Sequence, residues 1–119
     1  MKAISRSLGL AGLLVALSFV ASAAQVTGVL MDKMCSSSAV SKGQSFADSH
    51  DTKCALQPPC TKSGYGVYTS DGKLLSFDAA GNAQALAALK ATKKADHLNV
   101  TVDGDVQGSS MKVASLKLQ

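Results

Sequence analysis

The chain has 119 residues, with 12 Lys or Arg, 8 Asp, no Glu and no Trp, and a formal net charge of +4. The only Arg and one Lys lie in the first ten residues, so residues 24–119 carry 10 Lys, 8 Asp and a net charge of +2. Sequence-specific nucleic-acid recognition relies on bidentate Arg contacts, so a segment without Arg argues against it.

The N-terminal segment has the three parts of a secretory signal peptide. Two basic residues precede an apolar run at residues 8–20, and the Ala-Ser-Ala at residues 21–23 is an A-x-A cleavage site. The run is shorter than the roughly 20 residues that span a bilayer, which makes an uncleaved anchor the weaker alternative. We expect a signal peptide at residues 1–23 and one small periplasmic or secreted domain at residues 24–119, without a further transmembrane span.

The domain begins with an extended segment followed by a long polar one. Residues 25–31 predict the first strand, because they are rich in apolar and β-branched side chains. Residues 32–64 are rich in Ser, Lys and Asp and contain all three Cys and both Pro. We expect this polar segment to form one long loop.

A β-hairpin is expected next. Two extended runs flank an Asp-Gly dipeptide at residues 71–72, which is a strong hairpin signal. With a two-residue turn, Tyr68 lies opposite Leu75. Because strand side chains alternate, Tyr68, Leu75 and Phe77 are then expected to share the side that faces the core.

One helix and two strands complete the chain. Residues 83–94 are rich in Ala and Leu and predict a helix, with Asn82 as its N-cap. Residues 97–103 alternate between apolar and polar side chains and predict a strand. Residues 111–118 predict the last strand, and their alternation slips after Val113, which indicates a β-bulge.

The order strand, loop, strand, strand, helix, strand, strand predicts the fold class. It is the order of a small five-stranded OB-like Greek-key barrel, mainly β with one helix. Such a barrel nearly closes its sheet and so protects the strand edges. An open α+β sandwich built from the same elements is the alternative.

Four side chains of the long polar segment are candidates for metal ligands: Cys35, His50, Cys54 and Cys60. His50 and Cys54 are four residues apart and would share one face of a helix. Three thiolates and one imidazole would form a closed tetrahedral site for Zn²⁺ or another soft ion. There is no C-x-x-C motif, so neither a thioredoxin-like motif nor c-type haem attachment is supported.

Three residues beside the first Cys are further candidate ligands: Met31, Asp32 and Met34. Thioether ligands together with thiolates would favour Cu(I) over Zn²⁺. Met31 could equally fill the core, and Asp32 could cap the element that follows the first strand.

A disulfide is the alternative use of the cysteines. In an oxidising compartment Cys35 could pair with Cys54 or with Cys60, and the odd number leaves one thiol free for a metal, a partner or redox chemistry. Closing such a loop would contribute on the order of 3 kcal/mol to stability.

Aromatic residues and catalytic motifs say less about the function of the chain. Tyr65 and Tyr68 could stack on a ligand, as aromatic side chains of OB-folds do, but the small number of aromatics favours a place in the core. We find no Glu, no G-x-S-x-G and no phosphate-binding loop, so no catalytic set is visible.

These observations predict an exported, non-enzymatic binding module that holds Zn²⁺ or Cu(I) at the Cys/His cluster. The alternative is a metal-free domain that is stabilised by one disulfide and binds a peptide, a glycan or an envelope partner. A thiol redox protein is a third possibility, but no feature indicates a Cys of low pKa.

The chain resembles a group of small exported bacterial proteins of unknown function that share an OB-like barrel. The likeness rests on these residues: Gly28, Asp32, Cys35, His50, Cys54, Cys60, Gly64 and Tyr65. The resemblance implies that the Cys/His cluster belongs to the family's design, and it implies no particular activity. In size and order of elements the chain is also similar to small periplasmic OB-fold metal carriers.

Overall fold

The computed structural model describes residues 24–119, and the predicted signal peptide at residues 1–23 lies outside the described part. The strands are β1 (Ala24–Asp32), β2 (Tyr65–Tyr68), β3 (Leu74–Phe77), β4 (Asn99–Gln107) and β5 (Ser110–Leu118). The helices are α1 (Lys33–Lys42), α2 (Gln44–Ser49), α3 (Thr52–Ala55), α4 (Pro58–Ser63) and α5 (Ala79–Ala91). Within the described residues, no helix is long and apolar enough to cross a membrane.

The five strands form one mixed sheet that closes into a ring. β1 pairs antiparallel with β2 on one side and with β4 on the other, and β2 pairs antiparallel with β3. The ring is completed by a parallel pairing of β3 with β5 and an antiparallel pairing of β5 with β4. This closure differs from the open sandwich that we considered as the alternative.

The helical content corrects the predicted fold class. The described chain is 41% helical, so it is a compact α+β fold and not a mainly β fold with one helix. The predicted loop at residues 32–64 contains the four short helices α1 to α4. Capping side chains set the starts of α1 and α3, and Pro58 stands at the first position of α4, whereas α2 follows Gly43 without a side-chain cap. None of these starts follows from a helical spacing of apolar residues that the sequence would reveal.

The hairpin forms where it was predicted, but its register differs by one residue. Tyr68 pairs with Leu74 and not with Leu75. The Thr69 N–H donates to Lys73 O at 2.8 Å, and Gly72 takes φ +80° inside the turn. The loop therefore has three residues, with Gly in the left-handed conformation that this turn requires, and Tyr68 faces the opposite side of the sheet from Leu75.

Two groups of buried side chains lie on the two sides of the β1–β2 wall. The larger core is formed by Leu30, Ala55, Tyr65, Val67, Phe77, Ala85, Leu89, Leu98, Val100, Val102, Met111 and Val113. The smaller cluster, which includes residues of α1 and α2, is formed by Val29, Met31, Ala39, Ala47 and Tyr68. Because both sides of this wall are covered, the end of β1 and all of β2 are buried.

The helix α5 begins four residues earlier than predicted. Its N-cap is Asp78, whose Oδ1 accepts hydrogen bonds from the N–H groups of Gly81 at 3.0 Å and Val113 at 3.2 Å. Asn82, which was expected to cap the helix, lies inside it and accepts a hydrogen bond from the Tyr65 N–H at 2.8 Å. The predicted start was wrong because Gly81, which lies in the first turn of α5, is a residue type typical of loops between elements.

The predicted β-bulge is confirmed. Asp103 pairs with Ser115, whereas the next residue, Gly104, pairs with Val113, so Ala114 is the extra residue of β5. A side chain at Gly104 would overlap the backbone carbonyl of Lys112. The close approach of the two backbones at the bulge therefore requires Gly at this position.

We expect the Gly104→Ala variant to lose about 1–3 kcal/mol of unfolding free energy, because the added methyl group overlaps rigid backbone. Urea unfolding followed by circular dichroism measures the loss. Ser109→Ala, in the exposed turn between β4 and β5, serves as the control and should change stability by less than about 0.5 kcal/mol. Equal stability of the two variants would contradict the close approach at the bulge.

Candidate metal centre

The three cysteines occupy equivalent positions on three short helices. Each is the third residue of its helix: Cys35 in α1, Cys54 in α3 and Cys60 in α4. The first turns of these helices meet at the end of the ring where β1 ends and β2 begins. The long segment between β1 and β2 thus brings its three sulfur atoms to one place, as expected for metal ligands.

Capping side chains set two of these helix starts. Asp32 Oδ2 accepts the N–H of Cys35 at 2.9 Å, and Asp51 Oδ1 accepts the N–H of Cys54 at 2.6 Å. In both cases the spacing is Asp-x-x-Cys, which is the geometry of an N-cap bonded to the third helical residue. Asp51 is a functional position that was not predicted, although the repeated Asp-x-x-Cys spacing is a signal for it.

The third helix start depends on proline. Gln57 precedes α4 without a side-chain capping bond, and Pro58 and Pro59 form the first two helical positions. Proline is suited to these positions because its fixed φ is helical and the missing N–H would have no partner there. Cys60 follows directly, and its carbonyl accepts a hydrogen bond from Ser63 Oγ at 2.7 Å.

Hydrogen bonds between distant segments hold the helical segment on the ring. Tyr65 Oη donates to Ala55 O at 2.7 Å, and Thr52 N–H donates to Ala95 O at 2.8 Å. The His97 N–H donates to Asp48 O at 2.9 Å. These bonds tie α2 and α3 to β2 and to the segment after α5.

The sulfur atoms lie at the spacing of ligands that share one ion. Cys35 Sγ and Cys54 Sγ are 3.9 Å apart, and all three sulfurs lie within 4.8 Å of one another. Two thiolates bound at about 2.3 Å to one tetrahedral ion would lie roughly 3.8 Å apart. A disulfide requires about 2.05 Å, and all three cysteines are free thiols, so neither predicted disulfide is formed.

A carboxylate and an imidazole meet beside the sulfurs. Asp32 Oδ1 and His50 Nε2 are 2.8 Å apart, and their side chains are 0% and 2% exposed. Asp32 Oδ1 and His50 Nε2 thus contact each other, but neither these two atoms nor His50 Nδ1 makes a well-directed hydrogen bond among the described residues. Buried polar atoms are rarely left without a hydrogen bond, so these atoms could serve a ligand.

The predicted ligands fall into two groups that share Cys35. Cys35, Cys54 and Cys60 form one group, and Asp32, Cys35 and His50 form the other, each with its ligand atoms within 4.8 Å. His50 does not join the three sulfurs in a single group within that distance. The five residues lie close enough together to hold a metal ion, and the predicted Cys₃His set stays a prediction.

The two methionines lie in different surroundings. Met31 is fully buried in the smaller cluster with Val29, Ala39 and Tyr68. Met34 is 55% exposed on α1. Their positions favour a packing role for Met31 and a surface position for Met34.

The predicted stacking role of two tyrosines does not agree with their burial. Tyr65 is 1% and Tyr68 3% exposed, so neither ring offers a free face to a base or a sugar. Tyr65 belongs to the larger core and Tyr68 to the smaller cluster. Both are packing residues, as the low aromatic content favoured.

Burial and charge determine the protonation of the cluster. Burial raises the pKa of Asp32, but His50 and the Cys35 N–H outweigh it and hold the pKa below its usual value. Burial, the Asp32 charge and the Cys54 thiol raise the pKa of Cys35 to about 12. Burial and Asp32 also raise the pKa of Cys60. Cys35 and Cys60 are therefore protonated at neutral pH unless a cation is bound, and protonated thiols are weak nucleophiles.

Comparisons with known proteins give no relative from which a role could be transferred. No protein-family model matches the chain, and neither curated proteins nor solved structures give a significant match. The resemblance to small exported bacterial proteins therefore stays a prediction.

We expect Asp32→Ala to lower the unfolding free energy of the reduced, metal-free protein by about 2–4 kcal/mol. The change removes a helix cap, which is worth about 1 kcal/mol, and leaves His50 buried without its neighbour, which costs about 1–3 kcal/mol. Urea unfolding measures the loss.

Asp51→Ala is the matched control, because it removes the same kind of cap from an exposed aspartate. We expect only the loss of a cap there, about 1 kcal/mol. Equal losses in the two variants would show that the contact of Asp32 with His50 does not stabilise the fold.

Proposed function

We propose that this protein is an exported, non-enzymatic module that binds a soft metal ion, Zn²⁺ or Cu(I). The thiolates of Cys35, Cys54 and Cys60 are the primary ligands. The observation that carries the proposal is the convergence of three sulfurs within 4.8 Å, with the closest pair at 3.9 Å. Thiolate ligands select Zn²⁺ and Cu(I) over hard cations such as Mg²⁺ and Ca²⁺.

Metal binding explains the cluster of three cysteines better than catalytic or redox chemistry of a thiol does. Three thiols beside a buried carboxylate repel one another once ionised, and this repulsion adds to the larger effect of burial in raising the pKa of Cys35. A bound cation removes the repulsion, because the ligand form of Cys is the thiolate. A catalytic or redox cysteine needs the opposite environment, one that lowers the thiol pKa.

Partial exposure gives an ion a path into the site. Cys35 and Cys54 are partly exposed, whereas Cys60, Asp32 and His50 are buried. The ion would thus enter past Cys35 and Cys54 and then also contact the buried residues Cys60, Asp32 and His50.

Export and an OB-like architecture belong to the same proposal. Export is supported by the charged, apolar and A-x-A parts of residues 1–23. The closed five-stranded ring, with α5 between the third and fourth strands, favours an OB-like barrel into which residues 33–64 are inserted as a helical segment. The partner is a metal ion, or an envelope protein that exchanges one.

Metal and thiol content of the protein purified from its export compartment test the proposal. We expect at least one Zn or Cu per chain by elemental analysis, and thiols that react with a disulfide reagent only after chelation. Cys60→Ser should lower the metal content, whereas Ser37→Ala, exposed on the same helix as Cys35, should not change it.

A metal-free domain with one disulfide is the second candidate. It is favoured by the 3.9 Å separation of the Cys35 and Cys54 sulfurs, since a modest rotation of the side chains could bring them to bonding distance in an oxidising compartment. It predicts one free thiol per chain, no metal and no effect of chelation. That result would overturn the metal-binding proposal.

Metal affinity should fall as the pH falls. Cys35 and Cys60, whose pKa values are raised, must each release a proton when the ion binds. Each released proton changes the apparent affinity about tenfold per pH unit, so we expect a decrease of about 100-fold or more for each unit of acidification near neutrality. Competition with a chromophoric chelator measures it, and an affinity independent of pH would contradict thiolate ligation.

A further inference from the structure

The candidate ligands include more donor atoms than one tetrahedral ion uses, and they fall into two overlapping groups. The group formed by Cys35, Cys54 and Cys60 and the group formed by Asp32, Cys35 and His50 share only Cys35. We propose that the cluster holds two metal ions, one in each group, and that the Cys35 thiolate bridges them. This inference rests on the proposed function and extends it.

The distances favour two ions over one. Donor atoms on a single tetrahedral Zn²⁺ lie roughly 3.3–3.8 Å apart, given bonds of about 2.0–2.3 Å. His50 does not lie within even 4.8 Å of all three sulfurs, so a single Cys₃His ion would require this buried side chain to move. Two ions that share Cys35 could be bound with all five side chains near their present positions.

Unpartnered atoms point to the second ion independently of the sulfurs. Asp32 Oδ1 and both ring nitrogens of His50 are buried without a hydrogen-bond partner among the described residues. An ion bound only by the three sulfurs would leave Asp32 Oδ1 and His50 Nε2 with no contact except the one between them, and His50 Nδ1 with none. An ion in the second group would take Asp32 Oδ1 and one nitrogen of His50 as ligands.

The charge of the cluster also fits two divalent ions. Three thiolates and one carboxylate carry four negative charges, and two divalent cations balance them. One divalent cation would leave an excess of negative charge in a site where Asp32 and His50 are almost fully buried. Uncompensated buried charge is strongly unfavourable, so the two-ion state is the neutral one.

The test is the number of ions bound by the purified, reduced and metal-free protein. Titration with Cd²⁺, a soft divalent probe, should reach two equivalents per chain by sulfur-to-metal absorbance and by elemental analysis after gel filtration. His50→Asn and Cys60→Ser should each bind one equivalent, because each variant removes a ligand from a different group.

His97→Asn is the matched control and should still bind two equivalents. His97 also contacts an aspartate, with Nδ1 2.9 Å from Asp96 Oδ1, but its side chain is 63% exposed. Neither residue belongs to a group of candidate ligands among the described residues.

Cadmium NMR of the unmodified protein needs no variant and so does not depend on whether a variant folds. Two resonances with mutual coupling through the shared thiolate are expected. A single resonance and one equivalent would overturn the two-ion inference and leave the proposed function standing. Zero equivalents would overturn both.

Discussion

The buried carboxylate of Asp32 joins the parts of the molecule on which the candidate site depends. It is the last residue of β1, the strand that closes the ring by pairing with both β2 and β4. One of its oxygens caps α1 through the Cys35 N–H, and the other lies 2.8 Å from His50. A fully buried carboxylate is tolerated only with such partners. Asp32 therefore links the positions of three parts of the molecule: the ring wall, the start of the first helix and the thiol cluster.

The sequence predicted the strands well, because side chains of a strand point alternately to its two faces and so leave an alternating apolar pattern in the sequence. Leu98, Val100 and Val102, the apolar positions of the alternating run at residues 97–103, are fully buried, and the slip after Val113 is a true bulge. The helices of residues 33–64 could not be predicted in the same way. They are too short for an apolar period and are held by capping groups, prolines and distant contacts such as that of Tyr65 Oη with Ala55 O.

For the site, the sequence identified the residues but not their grouping. Cys35, Cys54, Cys60 and His50 were recognised by residue type, and Asp32 by its position beside the first Cys. Their division into two groups depends on where each short helix begins, and spacing along the chain does not determine this. The repeated Asp-x-x-Cys was the available signal, since an aspartate three residues before a Cys is the pattern of a cap on a third helical residue.

Residues 33–64 leave and re-enter the ring at neighbouring positions. Asp32 is paired directly with Tyr65, and the Lys33 N–H donates to Gly64 O at 2.9 Å, which joins the two ends of the segment at its base. For the sheet, this whole segment is topologically an enlarged hairpin turn, and β1 and β2 stay neighbours whatever connects them. A change in the length or sequence of the segment would therefore leave the pairing of these two strands in the ring intact.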